Sequence, residues 1–203
     1  MVTDGEIQTV PRMSKFALAA SLLVGLAGHA VAADDTILGE IKVGKYSDVW
    51  EVRFGGAAFD TGPASPNHFS GAVINAEVLA PSPDFLEIIG SPRPLLGTEI
   101  AISDDPIHVI YGGLNWEAHV TERLYLGFSG GGSWNSSQVT TNSSSGATKD
   151  LGSSFLFLLQ ASIGYDVTEK VTVQAFYNHF SNAYLATKNP GLESVGGRLG
   201  VRF

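Results

Sequence analysis

The groups in this chain with the most chemistry in them lie near its end: His179, Ser181 and, twelve residues after the serine, Glu193. A serine hydroxyl attacks a carbonyl poorly until an imidazole takes its proton. The imidazole in turn needs a carboxylate to fix its tautomer and offset the charge it gains. Asn182 and Asn189 bracket the same stretch, and either amide could donate an N–H to the oxyanion of an ester's tetrahedral intermediate. A His-x-Ser pair alone also fits an ordinary polar turn at a strand end. Whether the groups converge therefore depends on the elements that carry them.

Other groupings carry less. Gly127-Phe128-Ser129-Gly130-Gly131 has the spacing of a nucleophile elbow, which requires a helix after the turn; Gly132-Ser133-Trp134 follows instead, so the stretch reads as a glycine-rich strand. Asp104, Asp105 and His108 surround Pro106, as a turn would, without a matched ligand set for a metal. His68 and His119 stand alone near strand ends, as polar surface or interfacial groups. The chain has no Cys, which removes disulfide frameworks and thiolate metal sites. No metal and no cofactor are expected.

The positioning elements follow from periodicity. Val171, Val173, Ala175 and Tyr177 alternate with Thr172, Gln174, Phe176 and Asn178, the pattern of a strand with one apolar face. Phe155, Phe157, Leu159, Ala161, Ile163 and Tyr165 form another such face, and Val195, Leu199, Val201 and Phe203 a third opposite Arg198 and Arg202. The same template predicts eight strands over residues 49–59, 70–80, 95–103, 107–119, 123–134, 154–166, 171–181 and 194–203. No 3.6-residue periodicity competes with it.

Before these strands, Met13-Ser14-Lys15, the apolar stretch 16–27 and Ala30-Val31-Ala32 have the three parts of a secretory signal peptide, here residues 13–32. Residues 1–12 are then an upstream extension or a misassigned start, and residues 33–203 the exported domain. A net charge of −8 with no basic run argues against nucleic acid as a partner.

Alternating strands fit a soluble barrel or sandwich with its apolar face inward, or an outer-membrane barrel with that face outward. Glu51, Arg53, Asn75, Glu77, Arg198 and Arg202 fall mid-strand, where a membrane barrel would pair them in its polar interior. The turns 120–123 and 167–170 are short, and the connection after the fifth strand is long and Ser/Thr-rich; short periplasmic turns and long outer loops are expected of such barrels. Two connections fit less well. The one after the second strand, with Pro81, Pro83, Pro92 and Pro94, is long, and the one after the third is short. The expected fold is all-β, an eight-stranded antiparallel transmembrane barrel of the bacterial outer membrane, crossing it many times.

On these strands His179 and Ser181 share the outward face of the seventh, and Glu193 falls on the outward face of the eighth, so the three meet at the lipid-facing rim. Polar groups there are costly and ask for a functional explanation. His179-x-Ser181-Asn182, Asn189-Pro190-Gly191 and Glu193, followed within ten residues by Phe203, resemble the outer-membrane lipid A 3-O-deacylases (PagL-like, acyloxyacyl hydrolases). That resemblance implies Ser181 as nucleophile, His179 as general base then acid, and Glu193 as the carboxylate that orients it. Asn182 and Asn189 take oxyanion or supporting roles. It further implies lipid A or lipopolysaccharide as substrate and release of a 3-hydroxy fatty acid, and it is compatible with a homodimer. Ala175, Tyr177, Leu199 and Val201 are the expected acyl-accepting wall. Two alternatives stay open from the residues alone: a non-enzymatic structural or adhesion barrel, and an outer-membrane phospholipase with the same triad.

Overall fold

Eight antiparallel strands pair in chain order and close on themselves in the computed structural model, which describes residues 41–65 and 69–203. They are β1 (Glu51–Phe59), β2 (Ala72–Leu79), β3 (Arg93–Ile102), β4 (Val109–His119), β5 (Leu124–Asn135), β6 (Phe155–Asp166), β7 (Val171–Ser181) and β8 (Leu192–Arg202). Each pairs with its sequence neighbours, and β8 pairs with β1 to complete the barrel. Strands of 8 to 12 residues match the roughly 9–11 that a tilted strand needs to cross a bilayer. All eight strands expected from alternation are present, their ends shifted by a few residues. The signal-peptide segment, the upstream extension and His68 lie outside the described residues.

The alternation is the one a membrane barrel requires. Outward positions are apolar and exposed, with Phe54 at 62%, Leu96 at 60% and Phe155 at 73%. So large an exposed apolar surface is foreign to a water-soluble monomer, and it excludes the soluble barrel with an inward apolar face. Inward, Arg53 meets Glu51 at 2.7 Å, Glu77 at 3.4 Å and Glu117, while Arg198 meets Glu77 at 2.6 Å and Arg202 meets Asp166 at 2.9 Å. Buried charges persist only when paired and hydrogen-bonded in this way.

The interior changes character along the barrel. Toward the end with the long loops it is apolar: Phe59, Val73, Val109, Leu158, Phe180 and Leu192 pack with Phe69, Ile107 and Leu151 from the outer connections. A hairpin of Val139–Thr141 and Thr148–Asp150 folds over this mouth, where Lys149 Nζ bonds Asp60 at 2.6 Å. At the opposite end Tyr46 stacks on Arg202, its ring centroid 3.8 Å from the guanidinium carbon, and Lys42–Val43 adds a short strand to β4. The long connection after β2 holds a 3-10 helix, Asp84–Ile89. Its last carbonyl accepts from Trp116 Nε1 at 2.8 Å, which lays it against the outer wall.

His119 is not at the surface. Its strand parity turns it inward, where it is 1% exposed and Nε2 lies 3.0 Å from Asp166 Oδ2. Asp104, Asp105 and His108 secure outer connections: Asp105 Oδ2 accepts from the Thr141 amide, Asp104 from the Ser143 hydroxyl, and His108 Nδ1 from the Ala101 amide.

Candidate active site

Strands β7 and β8 carry the site because their inward residues lock them in place. Phe180, between His179 and Ser181, is fully buried, and its register partner on β8 is Leu192, beside Glu193. With those two side chains packed in the apolar half of the barrel, period two obliges His179, Ser181 and Glu193 to face the other way. His179 and Glu193 are direct cross-strand partners, the arrangement that brings two side chains closest. Their Nδ1 and Oε1 lie 3.0 Å apart. A carboxylate can only accept, so His179 donates from Nδ1, and Nε2 is the basic nitrogen of the neutral ring.

Glu193 points outward by parity yet is 1% exposed. The connection after β1 covers it. The amides of Ala64 and Ser65 donate to its oxygens at 3.0 Å each, and the Tyr177 hydroxyl donates to Oε1. Gly62 lies over the carboxylate so closely that a Cβ there would stand 2.4 Å from Oε2. These three donors hold the buried carboxylate in a single orientation. At Gly191, φ is +74° and a Cβ would approach His179 Cε1 to 3.0 Å, so a glycine both makes the left-handed turn into β8 and leaves room for the imidazole.

Ser181 ends β7, partly exposed, on the same face as His179 and opposite Phe157 of β6. One strand repeat separates the two Cα atoms, about 6.6 Å. The asparagines brace the connection that follows. Asn189 Oδ1 accepts from the Asn182 amide at 2.9 Å, and Asn182 Nδ2 donates to the carbonyls of Leu151 and Lys188 at 2.9 and 2.6 Å. Asn182 Nδ2 is thus spent on structure, while no hydrogen bond engages Asn189 Nδ2 among the described residues. The same connection is clasped from outside by Lys188 and Asp150 at 2.8 Å, a hydrogen bond that holds the Asp150 carboxyl below the usual carboxylate range.

Two placements differ from the sequence reading. Tyr177 is a hydrogen-bond donor to Glu193 rather than part of an acyl-accepting wall. Leu199 and Val201 are outward and exposed, but they pair with Val173 and Val171, eight and ten residues from Ser181 along β7, or about 26 and 33 Å. The residues that sequence reasoning missed are Tyr177 in this role and the Gly62, Ala64 and Ser65 cover. Closure of the barrel was the available signal, since it makes β1 the neighbour of β8.

The family described as lipid A 3-O-deacylase (PagL) matches residues 110–202, the span from β4 to β8 that includes every candidate residue except the cover. None of the curated proteins matches. Among solved structures, the outer membrane enzyme PagL is similar in fold with TM-score 0.54 and 14% identity, covering 74% of this chain and 98% of that one. The N-terminal β-barrel domain of Pseudomonas aeruginosa OprF gives TM-score 0.53 and 13% identity, covering 77% and 98%. At such identities the likeness is one of fold. Residues 110–202 of this chain, which carry the site's strands, are PagL-like in sequence, as the motif at the end of the chain implies, and they lie in a barrel of the same fold.

Proposed function

We propose that this protein resides in the bacterial outer membrane and hydrolyses the 3-O-linked acyl ester of lipid A through Ser181, His179 and Glu193. Ser181 Oγ attacks the ester carbonyl as His179 Nε2 takes its proton, with Glu193 holding the ring and offsetting the imidazolium. Asn189 Nδ2 is the available donor for the oxyanion. Collapse of the tetrahedral intermediate expels the sugar 3-oxygen, which takes the proton from His179. Water activated by the same imidazole then releases the 3-hydroxy fatty acid from Ser181. The observation that carries this reading is the His179–Glu193 register pair, with its carboxylate sealed under the β1 connection, one strand repeat from a partly exposed serine on a lipid-facing wall. A structural barrel has no need of such a pair.

An alkyl fluorophosphonate, which reacts only with an activated serine, tests the nucleophile. The purified protein in micelles is expected to be labelled on the peptide containing Ser181, with labelling abolished in Ser181→Ala and nearly so in His179→Ala. Equal labelling of wild type and His179→Ala would remove the base from the mechanism.

A further inference from the structure

His179 and Glu193 form one rung of the β7–β8 pair, and the inward rungs on either side of it are held by different forces. The rung toward the outer loops, Phe180 with Leu192, sits in apolar packing, and Phe180 leans on Tyr111 with ring centroids 5.7 Å apart. Apolar contact of this kind is non-directional. The rung toward the short turns, Asn178 with Ser194, is buried and polar. Both of its side chains donate to one group. Glu99 of β3 accepts at Oε1 from Asn178 Nδ2 at 2.5 Å and from Ser194 Oγ at 2.6 Å.

Glu99 reaches these partners across the lumen, since β3 stands four strands from β7 and three from β8 around the barrel. One oxygen thus ties the two strands of the candidate catalytic pair to each other and to the far wall, which the backbone ladder between adjacent strands cannot do. Glu99 also departs from the pattern of the interior. Glu51, Glu77, Glu117 and Asp166 each meet an arginine nitrogen at 2.9 Å or less, whereas Glu99, equally buried, has no ion-pair partner among the described residues. A buried carboxylate without a cation is costly, and its bonds go to the two residues behind the site. Asn178 Oδ1 has no partner among the described residues, which leaves the bond to Glu99 to orient that amide.

We infer that Glu99 is a positioning residue for the reaction at Ser181: acting through Asn178 and Ser194, it sets the alignment of His179 with Glu193 from inside the barrel. The inference rests on the esterase reading above. Asn178 precedes His179 and Ser194 follows Glu193, each joined to it by one planar peptide, so a shift of the inner rung is passed directly to the catalytic one. Misplacement on the order of 1 Å is enough to slow such chemistry about a hundredfold.

Glu99→Gln keeps an acceptor oxygen for both donors, and Glu99→Leu removes it. With 4-nitrophenyl octanoate in micelles, Glu99→Leu is expected to lose about tenfold or more in kcat while KM stays within about twofold. Glu99→Gln should remain within about threefold of wild type in both. Wild-type kcat in Glu99→Leu, an equal loss in Glu99→Gln, or a loss carried by KM overturns the inference. Because Glu99→Leu leaves two buried donors unpaired, a triple variant that adds Asn178→Leu and Ser194→Ala removes them as well. Heat-modifiable mobility reports that each variant folds, and the triple variant should show the same loss in kcat; wild-type kcat there also overturns the inference. A readout free of catalysis uses isotope-labelled histidine in the Ser181→Ala protein. The Nδ1–H proton resonance of His179, assigned by its loss in His179→Ala, should persist with Glu99→Gln and move upfield or vanish with Glu99→Leu. If it does so while the wild type hydrolyses no ester, the esterase reading fails and the alignment of the pair by Glu99 stands. An unchanged resonance in Glu99→Leu sinks the inference whatever the activity.

Discussion

Glu193 shows how a single residue can be right by parity and still be understood only in three dimensions. Its outward direction on β8 follows from counting alternate residues, and so does its convergence with His179 and Ser181. The cover does not follow, because Gly62, Ala64 and Ser65 lie about 130 positions away in sequence and their loop conformation is set by contact with the carboxylate itself. Two expectations belong here. Tyr177→Phe removes one donor to a buried anion, a bond of about 1.5–3 kcal/mol, and should lower turnover roughly ten- to a hundredfold by misaligning His179; wild-type turnover would show that the Ala64 and Ser65 amides suffice. Gly62→Val, with its Cβ forced against Oε2, should lift the cover and lose most activity while the barrel still folds, as heat-modifiable mobility would report.

At the scale of elements, period-two alternation made every barrel strand legible, because each strand answers to two media at once and has no freedom to slip by one residue. The pieces it could not show are those whose form is decided by packing: the strand Lys42–Val43, the outer hairpin and the 3-10 helix Asp84–Ile89. That helix explains the overlong connection after β2. It is bonded through Ile89 to outward-facing Trp116 and exposes Phe85 at 72% and Ile88 at 75%, on the side of the short turns, where such residues sit at the headgroup boundary. Since the chain has no Cys, Ile88→Cys introduces one thiol. In bilayers it should resist a water-soluble maleimide that readily labels Ser144→Cys in the outer hairpin. Equal labelling rates would place the helix in water.

For the whole molecule, the division of the interior matters more than its polarity. The mid-strand charges foretold the paired network around Arg53 and Arg198, but not the apolar half above it, because Leu156, Leu158 and Phe180 occupy inward positions in strands whose outward faces are also apolar. A segment apolar on both faces gives no sign of which side is the core. The result is a barrel with paired charges in one half of its interior and apolar packing in the other. Arg53→Met strips Glu51, Glu77 and Glu117 of their shared cation and should cost about 3–5 kcal/mol, seen as a lower urea midpoint for unfolding from micelles. An unchanged midpoint would mean that the network tolerates its loss.

On the proposed mechanism Ser181, driven by His179 and Glu193, removes an acyl chain from lipid A. The most direct measurement is mass spectrometry of lipid A from a Gram-negative host producing the full chain, beside hosts producing Ser181→Ala and Glu193→Gln. That mechanism requires loss of one 3-hydroxyacyl mass with the wild type, none with Ser181→Ala, and a strongly reduced conversion with Glu193→Gln, whose amide no longer stabilises the imidazolium and should slow turnover by about 10²- to 10⁴-fold. Lipid A left intact by a folded, heat-modifiable wild-type barrel in the outer membrane, or converted equally by Ser181→Ala, would contradict it.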